Sequence, residues 1–193
     1  MITFPNAKIN LGLDVVEKRP DGYHNLETVF YPIPLYDILE ITKSEDETSF
    51  TMHNAKFEGN DNDNLVVKAY NILAKDFEMP NVAMSLYKNI PTGAGMGGGS
   101  ADAAFALKML NIIAELNLSD EKLEEYAARL GADCAFFIKN TPAYATGIGN
   151  ILTPLDCNLA GHYIVVVKPD IHISTKEAYS LVSPGYPENR LAD

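Results

Sequence analysis

Pro91-Thr92-Gly93-Ala94-Gly95-Met96-Gly97-Gly98-Gly99-Ser100-Ala101-Asp102 gathers five of the chain's 13 glycines between positions 93 and 99. It runs directly into apolar residues at helical spacing: Ala101, Ala104, Phe105, Leu107, Met109, Leu110, Ile113 and Leu116. Upstream, Val82, Met84 and Leu86 share one face of a strand over residues 81–87. A strand, a glycine-rich turn and a helix start in that order form an anion site. Glycine lets the backbone approach a ligand, and the free N–H groups and positive end of the helix stabilise phosphate oxygens. Ser100 adds a hydroxyl suited to a magnesium ion. A tight connection without a ligand needs only one or two glycines, so five favour phosphate. The Walker loop is excluded because no lysine precedes Ser100. Gly93-Ala94-Gly95-Met96-Gly97-Gly98 fits GxGxxG, but a second helix follows instead of the strand a dinucleotide unit requires. The eukaryotic protein-kinase pattern fails as well, since its glycine loop joins two strands and His-Arg-Asp and Asp-Phe-Gly are missing.

Outward from the loop, the N-terminal stretch is strand-rich. Residues 7–16 alternate between faces, Arg19-Pro20-Asp21-Gly22 supplies a turn, and residues 23–31, 37–42 and 49–53 read as further strands. Leu65, Ala69, Ile72, Leu73 and Phe77 recur as on a helix after the polar 59–64 loop. C-terminal to the loop, Ser119, Asp120 and Glu121 open another helix that Gly131 stops. Residues 144–152 read as a glycine-turned hairpin, 157–161 as a linker, 163–167 as a buried strand and 174–182 as a helical segment. The last strand and helix are too little for an independent core.

The chain has 193 residues, 47% hydrophobic, enough for one ordinary core, with 15 Lys+Arg against 26 Asp+Glu for a net charge of −11. That balance argues against a nucleic-acid partner. The longest aliphatic run covers residues 164–167 and the first residues lack an export signal, so neither a membrane span nor secretion is expected and the default location is cytoplasmic. Cys134 and Cys157 are expected as reduced, buried thiols. Cys134 sits in an apolar segment without a nearby base and reads as core. His24, His53, His162 and His172 show no metal-ligand spacing, and Asp61-Asn62-Asp63-Asn64 lacks the glycine of a calcium loop.

Pro91 to Ala104 resembles the phosphate loop of the GHMP-type small-molecule kinases. Ala7-Lys8-Ile9-Asn10-Leu11, Arg19-Pro20-Asp21-Gly22-Tyr23-His24, Met96-Gly97-Gly98-Gly99-Ser100-Ala101-Asp102 and Gly131-Ala132-Asp133, in that order, resemble the branch of that family that phosphorylates a cytidylated sugar alcohol of non-mevalonate isoprenoid biosynthesis. The resemblance implies an α+β fold: a GHMP-kinase N-terminal domain, ribosomal protein S5 domain 2-like, over residues 1–157, then the start of a ferredoxin-like C-terminal domain over 158–193. It also implies a third glycine-rich motif that lies outside this sequence. By position alone, Asp133 reads rather as a capping carboxylate and Lys8 as a strand-edge lysine, and the four-motif resemblance reverses that. The resemblance makes Asp133 the base and Lys8 its orienting cation. It assigns ATP to Pro91, Thr92, Gly93, Ala94, Gly95, Met96, Gly97, Gly98, Gly99, Ser100 and Ala101, with Asn64 and Lys88 toward adenine or ribose and Ser100 toward Mg2+. Asn10, Tyr23, His24, Thr175 and Tyr179 are assigned to the cytidylated small-molecule substrate, the rings by stacking on its base. A kinase for homoserine, mevalonate or a sugar, and a nucleotide-binding module without catalysis, are the alternatives.

Overall fold

The computed structural model describes residues 1–55, 60–169, 171 and 175–191, without the side chains of Thr175 and Lys176. The first long element, β2 (Asn6–Lys18), follows the short β1 (Ile2–Thr3) and turns at Arg19-Pro20-Asp21-Gly22 into β3 (His24–Tyr36), its antiparallel partner. The turn closes through Gly22 N–H to the Arg19 carbonyl at 3.1 Å, with Gly22 at φ +86°. Glycine holds that left-handed angle without the steric penalty of a side chain. The glycine-turned hairpin expected at 144–152 forms as β7 (Ala143–Thr146) and β8 (Ile151–Pro154), giving a sheet of order β2-β3-β7-β8.

A second sheet, β1-β4-β6-β5, is built from β4 (Ile38–Lys43), β5 (Ser49–His53) and β6 (Val82–Tyr87). β5 and β6 run parallel, which requires a crossover, and α1 (Leu65–Ala74) supplies it. The period-two pattern puts Leu39 and Ile41 of β4 and Val82, Met84 and Leu86 of β6 on one buried face. The apolar stripes of α1, α2 (Gly98–Ile113) and α3 (Asp120–Leu130) close over that face through Val66, Leu73, Ala103, Leu107, Leu110 and Leu123. Each large side chain buried there contributes about 1.5–3 kcal/mol. Asn64 caps α1 and Ser119 caps α3. Gly131 ends α3 as expected but with extended backbone, φ 178°. Glycine is favoured there because a β-carbon would lie 3.2 Å from Cys134 Sγ. Beyond it α4 (Phe136–Lys139) drives Phe136 and Phe137 into the core.

The polar segment after position 59 is a solvated turn as expected, with Asp61–Asp63 forming one turn of 3-10 helix capped by Asn60. Three expectations change. Cys157 is only half-buried, while Cys134 is fully so. The buried strand expected over 163–167 does not form. Tyr163 is fully exposed and Val165 is 85% exposed, because among the described residues no strand pairs with this run. The helical segment expected over 174–182 is shorter, as α5 (Thr175–Ser180), with Ser174 outside the described residues.

Candidate active site

Lys8 reaches the site from β2, where its backbone N–H donates to the Met96 carbonyl at 2.9 Å and stitches the strand to the glycine loop. The residue is 4% exposed, so it is not a strand-edge lysine extending to water. Its ammonium donates to Asn10 Oδ1 at 2.7 Å, lies 3.3 Å from Asp133 Oδ2 and stands 4.6 Å from the centre of the Phe30 ring. Asp133 follows the α3 stop, and its side chain is one-third exposed, open on the cavity side. A buried cation held by one carboxylate, one amide and one ring face is a fixed charge, suited to orient a base and an attacking oxygen.

The glycine loop forms the adjoining wall. Gly93, Gly95 and Gly97 hold φ near +70°. Gly97 is the N-cap of α2 and brings no side-chain cap, so the N–H groups of the first turn stay free for an anion. A β-carbon on Gly97 would stand 2.9 Å from the Phe137 ring, and one on Gly98 2.8 Å from Ile90, whereas Gly95 faces open space. Pro91, Thr92, Gly93 and Gly99 are exposed, and Ala94 packs on the small cluster of Ala7, Ile33, Ile90 and Met96. The Met96 side chain is thus core. Ala101 is a correction: its N–H already donates to the Gly97 carbonyl at 2.8 Å and its methyl is buried, so it has no donor left for a phosphate. Ser100 lies beside the Cys134 thiol, which burial pushes up to about 11 and so keeps protonated and unreactive at neutral pH.

Lys88 departs furthest from its assignment. Its ammonium is buried between Asp37 and Asp102 Oδ2, the latter at 2.7 Å, beneath Gly98. Asp37 also accepts the backbone N–H groups of Asn89 and Ile90 at 2.6 and 2.8 Å. Two of its three N–H groups are given to carboxylates, so this buried cation first of all anchors β4, the strand-to-loop junction and α2 to one another. Asn64 is committed too, its Oδ1 accepting Val66 N–H at 2.9 Å, although its amide NH2 faces only the Met52 sulfur. Sequence reasoning missed this triad because a carboxylate at a helix start reads as a surface residue favoured by the dipole.

Across the cavity, the Pro-Asp-Gly turn presents Tyr23, 62% exposed, while His24 stacks on Tyr179 of α5 with ring centres 5.3 Å apart and planes 18° apart. Burial and the nearby Asp133 carboxylate raise the Tyr179 hydroxyl above its ordinary range. The Thr175 side chain lies outside the described residues. Lys8, Asn10, Tyr23, His24, Gly95, Gly97, Asp133 and Tyr179 together line one cavity of about 860 Å³. Thr28, Phe30 and Gly149 also line it, and no sequence pattern marked them. Gly149 sits at the β7-β8 turn, where a β-carbon would be 3.7 Å from Asp133 Oδ1.

Residues 64–141 match the model of the GHMP kinases N-terminal domain. A protein of Bacteroides fragilis named 4-diphosphocytidyl-2-C-methyl-D-erythritol kinase is 61% identical over all of this chain, which covers 72% of that relative. The chain belongs to the 4-diphosphocytidyl-2-C-methyl-D-erythritol kinase family. Another member of that family, from Cytophaga hutchinsonii, is 47% identical, again over the whole chain and 72% of the relative. Among solved structures, a 4-(cytidine 5'-diphospho)-2C-methyl-D-erythritol kinase superposes with a TM-score of 0.69 at 35% identity. That match covers 80% of this chain and 55% of the solved one. Methanococcus jannaschii mevalonate kinase, at 15% identity and TM-score 0.60 over 81% and 56% of the two chains, shares the fold. Family membership makes this a GHMP kinase chain. Among the described residues, no helix is long and apolar enough to cross a membrane.

Proposed function

We propose that this chain carries phosphoryl transfer from ATP to the 2-hydroxyl of 4-diphosphocytidyl-2-C-methyl-D-erythritol. The observation that carries the reading is the Lys8-Asp133 pair, 3.3 Å apart, opening on the same cavity as the uncapped mouth of α2 and the His24-Tyr179 rings. In this reading the loop from Pro91 to Ser100 cradles the triphosphate. The cytosine ring engages Tyr23, His24 and Tyr179, and Asn10 and Lys8 hold the acceptor end. Asp133 takes the hydroxyl proton as that oxygen bonds to the γ-phosphorus and the bond to the bridging oxygen of ADP breaks. Lys8 offsets the charge that develops on the oxygens in flight. A magnesium ion with the nucleotide would meet the Ser100 hydroxyl and screen phosphate charge, and the oxygen donor suits a hard cation.

The identities to relatives named for this substrate support it over homoserine, mevalonate or a sugar, and support catalysis over simple nucleotide retention. On the same reading, residues 158–193 belong to a ferredoxin-like unit, as the family likeness implies. The test is Asp133→Asn. ADP release with the cytidylated substrate should fall at least about 1,000-fold while ATP binding stays within about twofold. Undiminished turnover by that variant removes Asp133 from the role of base.

A further inference from the structure

β2 and β3 do not pair in one unbroken register. Leu11 faces Val29 and Leu13 faces Thr28, so Gly12 is an extra residue, and its φ of +74° marks it as a β-bulge. The bulge turns the Gly12 carbonyl onto the Thr28 side chain, where it accepts the Thr28 hydroxyl at 2.6 Å. Thr28 is wholly buried in β3 and is two strand residues from Phe30, the ring beneath the Lys8 ammonium. Its oxygen in turn accepts from Asn10 Nδ2 at 2.8 Å, and Asn10 Oδ1 accepts from Lys8 Nζ at 2.7 Å.

The direction of every bond in this chain is forced. A backbone carbonyl can only accept, so the single hydroxyl proton of Thr28 is committed to Gly12 and its lone pair is all that Asn10 meets. Asn10 must therefore present its NH2 to Thr28. An ammonium can only donate, so the amide must present its oxygen to Lys8. Both ends demand the same orientation of the Asn10 amide, and neither tolerates the flipped one.

We infer that Thr28 is a positioning residue for phosphoryl transfer: polarised by the Gly12 bulge, its hydroxyl locks the Asn10 amide and through it aims the Lys8 ammonium at Asp133. One N–H of Lys8 is given to Asn10, and the ammonium so held stands 3.3 Å from Asp133 Oδ2 in the wall of the cavity that both residues line. Without the hydroxyl, the Asn10 NH2 loses its acceptor and the amide is held at the Lys8 end alone, so it is free to swing on its side-chain torsions and carry the ammonium away from its aligned position. The inference rests on the proposed kinase reading for its catalytic consequence, but the alignment itself belongs to the protein alone.

The experiment pairs Thr28→Val, which keeps the shape and removes the hydroxyl, with Thr28→Ser, which keeps the hydroxyl. In steady-state assays Thr28→Val should lower kcat about 10- to 100-fold with KM for ATP within about twofold, and Thr28→Ser should recover most of the loss. In ligand-free protein, the Lys8 Nζ–H resonance should be protected from exchange in the wild type and in Thr28→Ser and lost in Thr28→Val. A Thr28→Val protein that melts earlier yet keeps both kcat and the Lys8 signal gives Thr28 a structural role only and overturns the inference. Should Thr28→Val fail to fold, the unaltered protein decides. Strong nuclear Overhauser contacts from the Asn10 NH2 protons to the Thr28 methyl support the inference, and contacts from those protons to the Lys8 ε-methylene overturn it. If the wild type releases no ADP with the cytidylated substrate, the kinase reading fails while the Lys8 and Asn10 spectra still judge the alignment.

Discussion

Asp102 is an acidic side chain in the first turns of α2 that is 2% exposed, and its Oδ1 has no hydrogen-bond partner. Burial raises its titration to about 7, Lys88 opposes the rise and Asp37 adds to it. In the unfolded chain the same carboxyl titrates near its ordinary 3.8. Between those two points the folded protein holds a proton that the unfolded chain has released. Asp102 therefore withdraws stability as pH climbs from about 4 to about 7. Asp102→Asn keeps an oxygen for Lys88 and abolishes the titration. Its stability relative to wild type should improve with pH across that window, by up to about 1.4 kcal/mol per pH unit. Urea melts of both proteins at several pH values check this, and curves that stay parallel refute it. Such a residue is opaque in sequence, because Ser100-Ala101-Asp102 reads alike whether the carboxylate faces water or a buried lysine. Lys8 and Asp133 were legible only through motif order, since nothing local separates a paired strand lysine from an exposed one.

The junction between the glycine loop and α2 was the most legible part of the chain, since a glycine cluster followed by a 3.6-residue stripe has few physical solutions. Gly97 shows how tightly it is built, with a left-handed φ of +69° and the Phe137 ring and Lys8 Cγ where a side chain would start. Gly97→Ala should cost about 1–3 kcal/mol in thermal or urea unfolding from backbone strain alone. It should also weaken ATP binding, read by calorimetry, because the displaced ring and lysine belong to the cavity wall. An alanine variant of native stability and affinity contradicts both expectations. The Gly12 bulge was not legible, because one glycine in a strand is compatible with a bulge, a bend or simple tolerance. The strand expected over 163–167 was misread for a related reason. A continuous apolar run records what a segment is able to bury, while a strand also needs a neighbour to pair with.

The last described residues return across the molecule to the first hairpin. Gly185 N–H donates to the Val15 carbonyl at 2.9 Å, Leu191 packs against Gly12, and Arg190 pairs with Glu27, a buried carboxylate of β3. Arg190 holds Glu27 below the usual carboxylate range, so the pair stabilises the fold above the ordinary glutamate titration at 4.5 and ceases to as pH falls through the lower, folded one. Arg190→Ala should lower the thermal midpoint at pH 7 by several degrees and make little difference at pH 2. An equal loss at both values would mean that packing, not charge, holds the tail. No composition or periodicity connects residues 27 and 190, so this closure had no signal in the sequence.

The flat contact between His24 and Tyr179 also bears on which molecules the cavity retains. A visitor that parts those rings forfeits an attraction of about 0.5–1.5 kcal/mol already present. A planar heterocycle restores it on both faces, whereas a saturated sugar restores none. Selectivity at that rim is therefore a matter of exchange, with the paired rings themselves acting as the competitor every ligand has to match.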